Sequence, residues 1–202
     1  MKKIPLLLPA LLLFSFTISK NSLTEKERKT AIEFLQSTED GVFNSVKGLS
    51  EAQLNFKAAP DRWSIEECVK HIAITEESLW KMTEENIKQA ANPEKRVDIK
   101  ATDEQLIKGA EDRSKKVKTS PQLEPQSSPY KSLAEALESF KTNREKLIAY
   151  VKTTDDDLRN HVAALPFGSF DCYQMLLFMG AHSNRHTQQM EEVKADGNYP
   201  KK

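Results

Sequence analysis

His182 and His186 stand four residues apart in the run GAHSNRHTQQ near the C-terminal end of the chain. On a helix that spacing puts both imidazoles on one face, one turn apart, so a single segment can offer two nitrogens to one metal ion. The surrounding apolar residues say which face it is. Met175, Met179, His182, His186, Gln189 or Met190, and Val193 recur at three- and four-residue intervals, so the pair falls among inward positions. Two readings share these residues: core histidines that only satisfy hydrogen bonds, or a metal centre. His71 lies at the margin of a second apolar stripe, beside Cys68, Thr75, Ser78 and Met82. A third imidazole from there would complete a three-histidine set with positions left open for water or substrate, whereas a structural site is closed by four protein ligands. His161 falls in a loop with no partner at ligand spacing and stays outside the set.

The elements that must position these residues are helices. Thr24 with Glu27 forms a capping box, followed by Ile32, Leu35, Val42, Phe43 and Val46 at helical spacing until Gly48. Ser64 with Glu67 repeats the signature, and Ile65, Cys68, Val69, Ile72, Leu79 and Met82 carry an apolar stripe toward Ile87, with Trp63 just before the cap as a staple. Residues 91–129 lose the periodicity and hold four prolines, with Thr102 and Gln105 capping a short helix that runs to about Arg113; this is a long crossover. Ser132 with Glu135 opens a third long helix, striped by Leu133, Leu137, Phe140, Leu147, Ile148 and Val151. After a loop through Pro166 and Gly168, Asp171 with Gln174 opens the fourth, which runs to about Ala195. No window alternates as a strand does. The predicted class is all-α: a four-helix bundle with a long crossover between the second and third helices, and not simply up-down-up-down.

With those residues in place, the chain resembles the DinB-like superfamily of four-helix-bundle metalloenzymes. The resemblance rests on RWSIEECVKHI, which leads from Trp63-Ser64-Ile65 to His71, and on His182, Arg185, His186 and Gln189 in an H-x-x-R-H-x-x-Q arrangement; the Pro166-Phe167-Gly168 turn is similar too. It spans roughly residues 22–196, and the two motifs together are far more specific than either alone. The resemblance implies a divalent metal held by His71, His182 and His186, and a metal-activated water or thiol as nucleophile, in a hydrolase or a thiol S-transferase. Zinc suits three imidazoles, while Ni2+, Co2+ and Fe2+ suit them also. Arg185 and Gln189 match the motif without a single physical role: Arg185 can pair with Glu191, with a carboxylate on another helix or with an anionic substrate, and Gln189 can orient an imidazole or make a plain core hydrogen bond. The alternative from another class is a non-catalytic bundle that binds a metal or small ligand.

Composition narrows the remaining choices. Of 202 residues, 38% are hydrophobic and 30% charged, with 30 basic balancing 30 acidic side chains, which fits one globular domain. A neutral chain without a basic block has nothing to draw it to a phosphate backbone, so nucleic acid is not an expected partner; a small-molecule substrate or ligand is, and a homodimer is compatible with the composition. Lys2 and Lys3 precede the apolar run from Ile4 to Ile18, too short and too proline-broken for a permanent anchor. Residues 1–19 therefore read as a signal peptide cleaved after Ser19, with residues 20–202 as the bundle domain, exported to a periplasm or medium, without lipidation and with no stable membrane span after cleavage. Cys68 and Cys172 each lie within a helical pattern and read as unpaired, packed thiols. Glu66-Glu67, Glu76-Glu77 and Glu84-Glu85 read as solvated helix faces.

Overall fold

The computed structural model describes residues 22–201, so the expected signal peptide lies outside the described residues. Four long helices form the bundle: α1 (Glu25–Val46), α3 (Ile65–Ile87), α5 (Leu133–Thr153) and α6 (Cys172–Lys194). Two short ones, α2 (Glu51–Asn55) and α4 (Asp103–Glu111), lie in the connections. At Thr24 and Ser64 the capping boxes close in both directions, the hydroxyl accepting the N–H three residues on and the glutamate accepting the cap N–H. At Ser132 only half forms, because the Glu135 carboxylate accepts from Lys131 N at 2.7 Å instead. Gln174 likewise gives its N–H to Asp171 while its side-chain amide donates to Ala101 O at 3.0 Å.

Pairings along the helices fix their directions. Tyr173 reaches Glu27 O and Ser45 reaches Glu191, so α1 and α6 run parallel. His71 meets His182 and Asn86 meets Cys172, so α3 runs against α6. Lys70 near Lys131 and Trp80 on Tyr150 make α3 and α5 parallel. The order is up, down, down, up, with α1 flanked by α5 and α6, and α3 flanked by the same two. Two parallel helices in succession require the chain to return the length of the bundle, which explains the long segment between Lys88 and Ser132.

Close approach within the bundle depends on Gly180, where an added Cβ would lie 2.8 Å from the Phe34 ring. The apolar core comes in two parts. One is built around Leu35, Leu147, Leu176 and Met179, the other around Val42, Ile65, Ile72, Phe140 and Met190. Between them each long helix contributes a buried polar residue: Thr38, Glu76, Arg144 and Ser183. Met82, expected on the stripe of the second long helix, is partly exposed, and Thr83 takes the inward place.

The expectation of no strand needs correction. Val162–Leu165 (β1) and Gly168–Asp171 (β2) pair antiparallel, Leu165 opposite Gly168, with Pro166 and Phe167 at the tip. Gly168 has φ of +145°, a backbone conformation suited to a residue without a side chain. The hairpin delivers the chain to the Asp171 cap of α6.

Candidate metal centre

His71 sits in the second turn of α3, and His182 and His186 sit on adjacent turns of the antiparallel α6. Their ligand atoms all lie within 4.8 Å of one another. His182 Nε2 is 3.1 Å from His71 Nε2 and 3.2 Å from His186 Nε2. Two nitrogens each about 2.1 Å from one ion, subtending about 95–110°, would be about 3.1–3.4 Å apart, so the spacing fits shared coordination.

The outer nitrogens settle the tautomers. His71 Nδ1 is 2.6 Å from Leu123 O, an acceptor only, so it carries the proton and leaves the Nε2 lone pair free. His186 Nδ1 is 3.0 Å from Gln189 Oε1, and Arg113 donates to the same oxygen at 3.3 Å. Two donors converging there fix the amide with its oxygen toward the ring. His71 and His186 are almost wholly buried, and His182 is the least covered of the three. Burial pushes the His71 imidazole below its ordinary range. Burial and the neighbouring imidazoles push His182 and His186 well below it. All three are held as neutral bases, the form a cation requires.

Trp63, just before the Ser64 cap, packs against the histidines. Its ring lies 4.7 Å from that of His71 and stacks at 5.8 Å on His186, roofing both. Cys68, one turn before His71, is buried in the apolar core, and burial pushes its thiol up; Cys172 is pushed up to about 12. Both are unpaired, as expected, and neither is an available thiolate. His161 bonds the carbonyls of Asp157 and Gln89 and is not one of the clustered histidines.

Among the described residues Arg185 makes no ion pair. It donates to the carbonyls of Ala110, Asp112 and Lys115, tying the end of α4 and the chain beyond it onto α6, while Glu191 engages Ser45 and Lys194. Gln189 turns its side-chain oxygen to the His186 ring. Glu76, expected on a solvated face, is instead buried in a bidentate salt bridge with Arg144 at 2.6 Å. Arg144 also donates to Leu35 O, Thr38 Oγ1 and Ser183 Oγ, each at 2.8 Å, so one side chain of α5 joins the other three long helices. Its signal in the sequence is a gap: Arg144 lies four residues after Phe140 and three before Leu147, where the stripe should continue. Glu76 stands likewise between Ile72 and Leu79, and Thr38 between Leu35 and Val42.

An up-down-down-up bundle with three neutral imidazoles aimed at one point defines a class of helical proteins built around a metal-competent core. Residues 34–190 match the DinB superfamily, and the chain belongs to that family. It is 31% identical over 153 residues to Uncharacterized protein YuaE of Bacillus subtilis (strain 168), across 75% of this chain and 90% of that protein. YfiT from Bacillus subtilis, described as a probable metal-dependent hydrolase with an unusual four-helix bundle topology, shares the fold with a TM-score of 0.58 at 13% identity, over 87% of this chain and 90% of YfiT.

Proposed function

We propose that this protein is a metal-dependent hydrolase in which His71, His182 and His186 hold one divalent cation, Zn2+ in the first instance. The observation that carries the reading is the convergence of three Nε2 atoms, two of them with the opposite ring nitrogen committed to an oxygen acceptor. Family membership and the description of YfiT support the same reading. A cation so held would make a bound water or thiol nucleophilic at neutral pH. The chain's own contribution is positional: Leu123 O and Gln189 set the tautomers, Trp63 covers His71 and His186, and His182 is the least covered of the three residues. Water is the favoured nucleophile over a thiol because residues 1–19 read as an export signal, and low-molecular-weight thiols are scarce outside the cytosol. The first test is metal content after chelation and reloading, with one equivalent expected, followed by ester, amide and thiol-transfer assays on the loaded protein. Metal binding without turnover in any of them would favour the binding-module reading. Loss of binding in the wild type would remove the metal centre altogether. Intact mass of the exported protein tests cleavage after Ser19; a mass retaining the leader would show an anchor.

A further inference from the structure

We infer that Phe167 and Phe178 form an aromatic shelf that binds the apolar, preferably aryl, portion of the substrate while its polar end reaches the histidine centre; the inference rests on the metal reading above. Phe167, at the hairpin tip, is 60% exposed, one of the few large apolar side chains so placed among the described residues. Yet it is not loose on the surface. Its ring stacks on Phe178 at 5.5 Å and leans on Phe170 at 5.4 Å, and an added Cβ at Gly168 would come 3.1 Å from Phe170, so the tip is shaped around these rings.

The stack then leads to the site. Phe178 lies one turn before His182 on α6, with ring centroids 6.1 Å apart. The other flanks of the centre are covered: Leu123 O backs His71, Gln189 and Arg113 back His186, and Trp63 roofs both rings. His182 is the least covered ligand, and no hydrogen bond to its Nδ1 is found among the described residues. Phe178 and Phe167 lie in succession on that side of the centre, ring against ring from His182 outward. An exposed aromatic surface continuous with a polar centre is what a ligand with an apolar body and a polar head fits. The substrate class that follows is a small molecule carrying an aryl or extended apolar group beside the bond to be cleaved.

The test loads the chelated full-length domain with Co2+ and titrates it with acetohydroxamate and benzohydroxamate, reading the visible spectrum of the ion. These probes share a metal-binding head and differ in the ring. The wild type is expected to prefer benzohydroxamate about tenfold, and Phe167→Ala to reduce that preference to about threefold or less while binding acetohydroxamate as before; one aromatic contact with its buried area accounts for a change of this size. Phe167→Tyr should restore the preference. A cobalt spectrum with a preference untouched by Phe167→Ala overturns the shelf alone, as does a sedimentation shift showing that Phe167 is a contact between copies of the chain. Absence of any cobalt spectrum in the wild type overturns the shelf and the metal reading together.

Discussion

The bundle buries two polar clusters side by side, one residue apart on α6 at His182 and Ser183 and five apart on α3 at His71 and Glu76, and they are built on opposite terms. Around Arg144 every donor meets an acceptor: its five N–H groups are matched by two Glu76 oxygens, Leu35 O, Thr38 Oγ1 and Ser183 Oγ. The hydroxyls pass their own hydrogens to helix carbonyls, Ser183 to Met179 O at 2.9 Å and Thr38 to Leu35 O at 3.1 Å. Around the histidines, two of the three Nε2 atoms are fixed as acceptors, and among the described residues no donor set closes the cluster. The first cluster is complete as folded; the second has an unmet demand that a cation would satisfy. The difference separates a buried network that is closed on itself from one left open to the cation proposed above.

Breaking the complete cluster should have the largest effect. Arg144→Ala leaves the buried Glu76 carboxylate without its partner, and removing one member of such a pair costs about 3–5 kcal/mol. Urea unfolding should show the midpoint falling accordingly. The double variant Arg144→Met with Glu76→Leu removes both charges and should recover most of the loss, as apolar replacement of a buried pair often does. A single variant as stable as the wild type would mean that the network does not hold the bundle together.

The open cluster should respond to what is added. Metal at about 100 times its dissociation constant should stabilise the fold by about 2.7 kcal/mol, and His186→Ala should abolish that gain while leaving a folded helical protein, since the two apolar cores do not depend on the ion. The pH dependence follows from burial. His71, His182 and His186 all have folded pKa values pushed below the unfolded one, so the unfolded chain takes up protons first as pH falls below about 6.5. Apo stability should therefore decline over that range. Metal affinity should persist to lower pH than free imidazole allows, because the folded rings resist protonation. Affinity that collapses already above pH 6.5 would contradict the buried, neutral state.

How far these clusters could be read from sequence follows from where their partners lie. The four long helices were legible because a capping pair and a stripe are local, and His182 with His186 because ligand spacing is local too. His71 needed the family resemblance, since nothing in composition says that α3 meets α6 at that level. The Arg144 network was visible only as gaps in three stripes at one level. The role of Arg185 left no trace, because its acceptors are backbone carbonyls about seventy residues away, and a carbonyl has no side-chain signature. The hairpin escaped because four-residue strands are too short for alternation to show. The short helix α2 did carry a signal, the Ser50 and Gln53 capping box, in a segment with no stripe to draw attention to it.

The smallest expected effect tests the outer edge of the open cluster, at Gln189. Its Oε1 accepts from His186 Nδ1 at 3.0 Å and from Arg113 at 3.3 Å, so it belongs to a satisfied set on one side and supports an unsatisfied nitrogen on the other. Gln189→Ala removes the acceptor that fixes the His186 tautomer, and loss of such a partner typically lowers metal affinity about 10–100-fold. The apo protein should lose at most about 1 kcal/mol, because Gln189 is only half-buried and water can replace its amide. Gln189→Glu keeps an oxygen acceptor in the same place and adds a charge that favours the donating His186 N–H, so affinity should be retained or raised. Competition titration against a chromogenic chelator reads both variants. If Ala and Glu weaken binding alike, the oxygen at this position does not set the ring, and His186 must owe its orientation to the Trp63 stack instead.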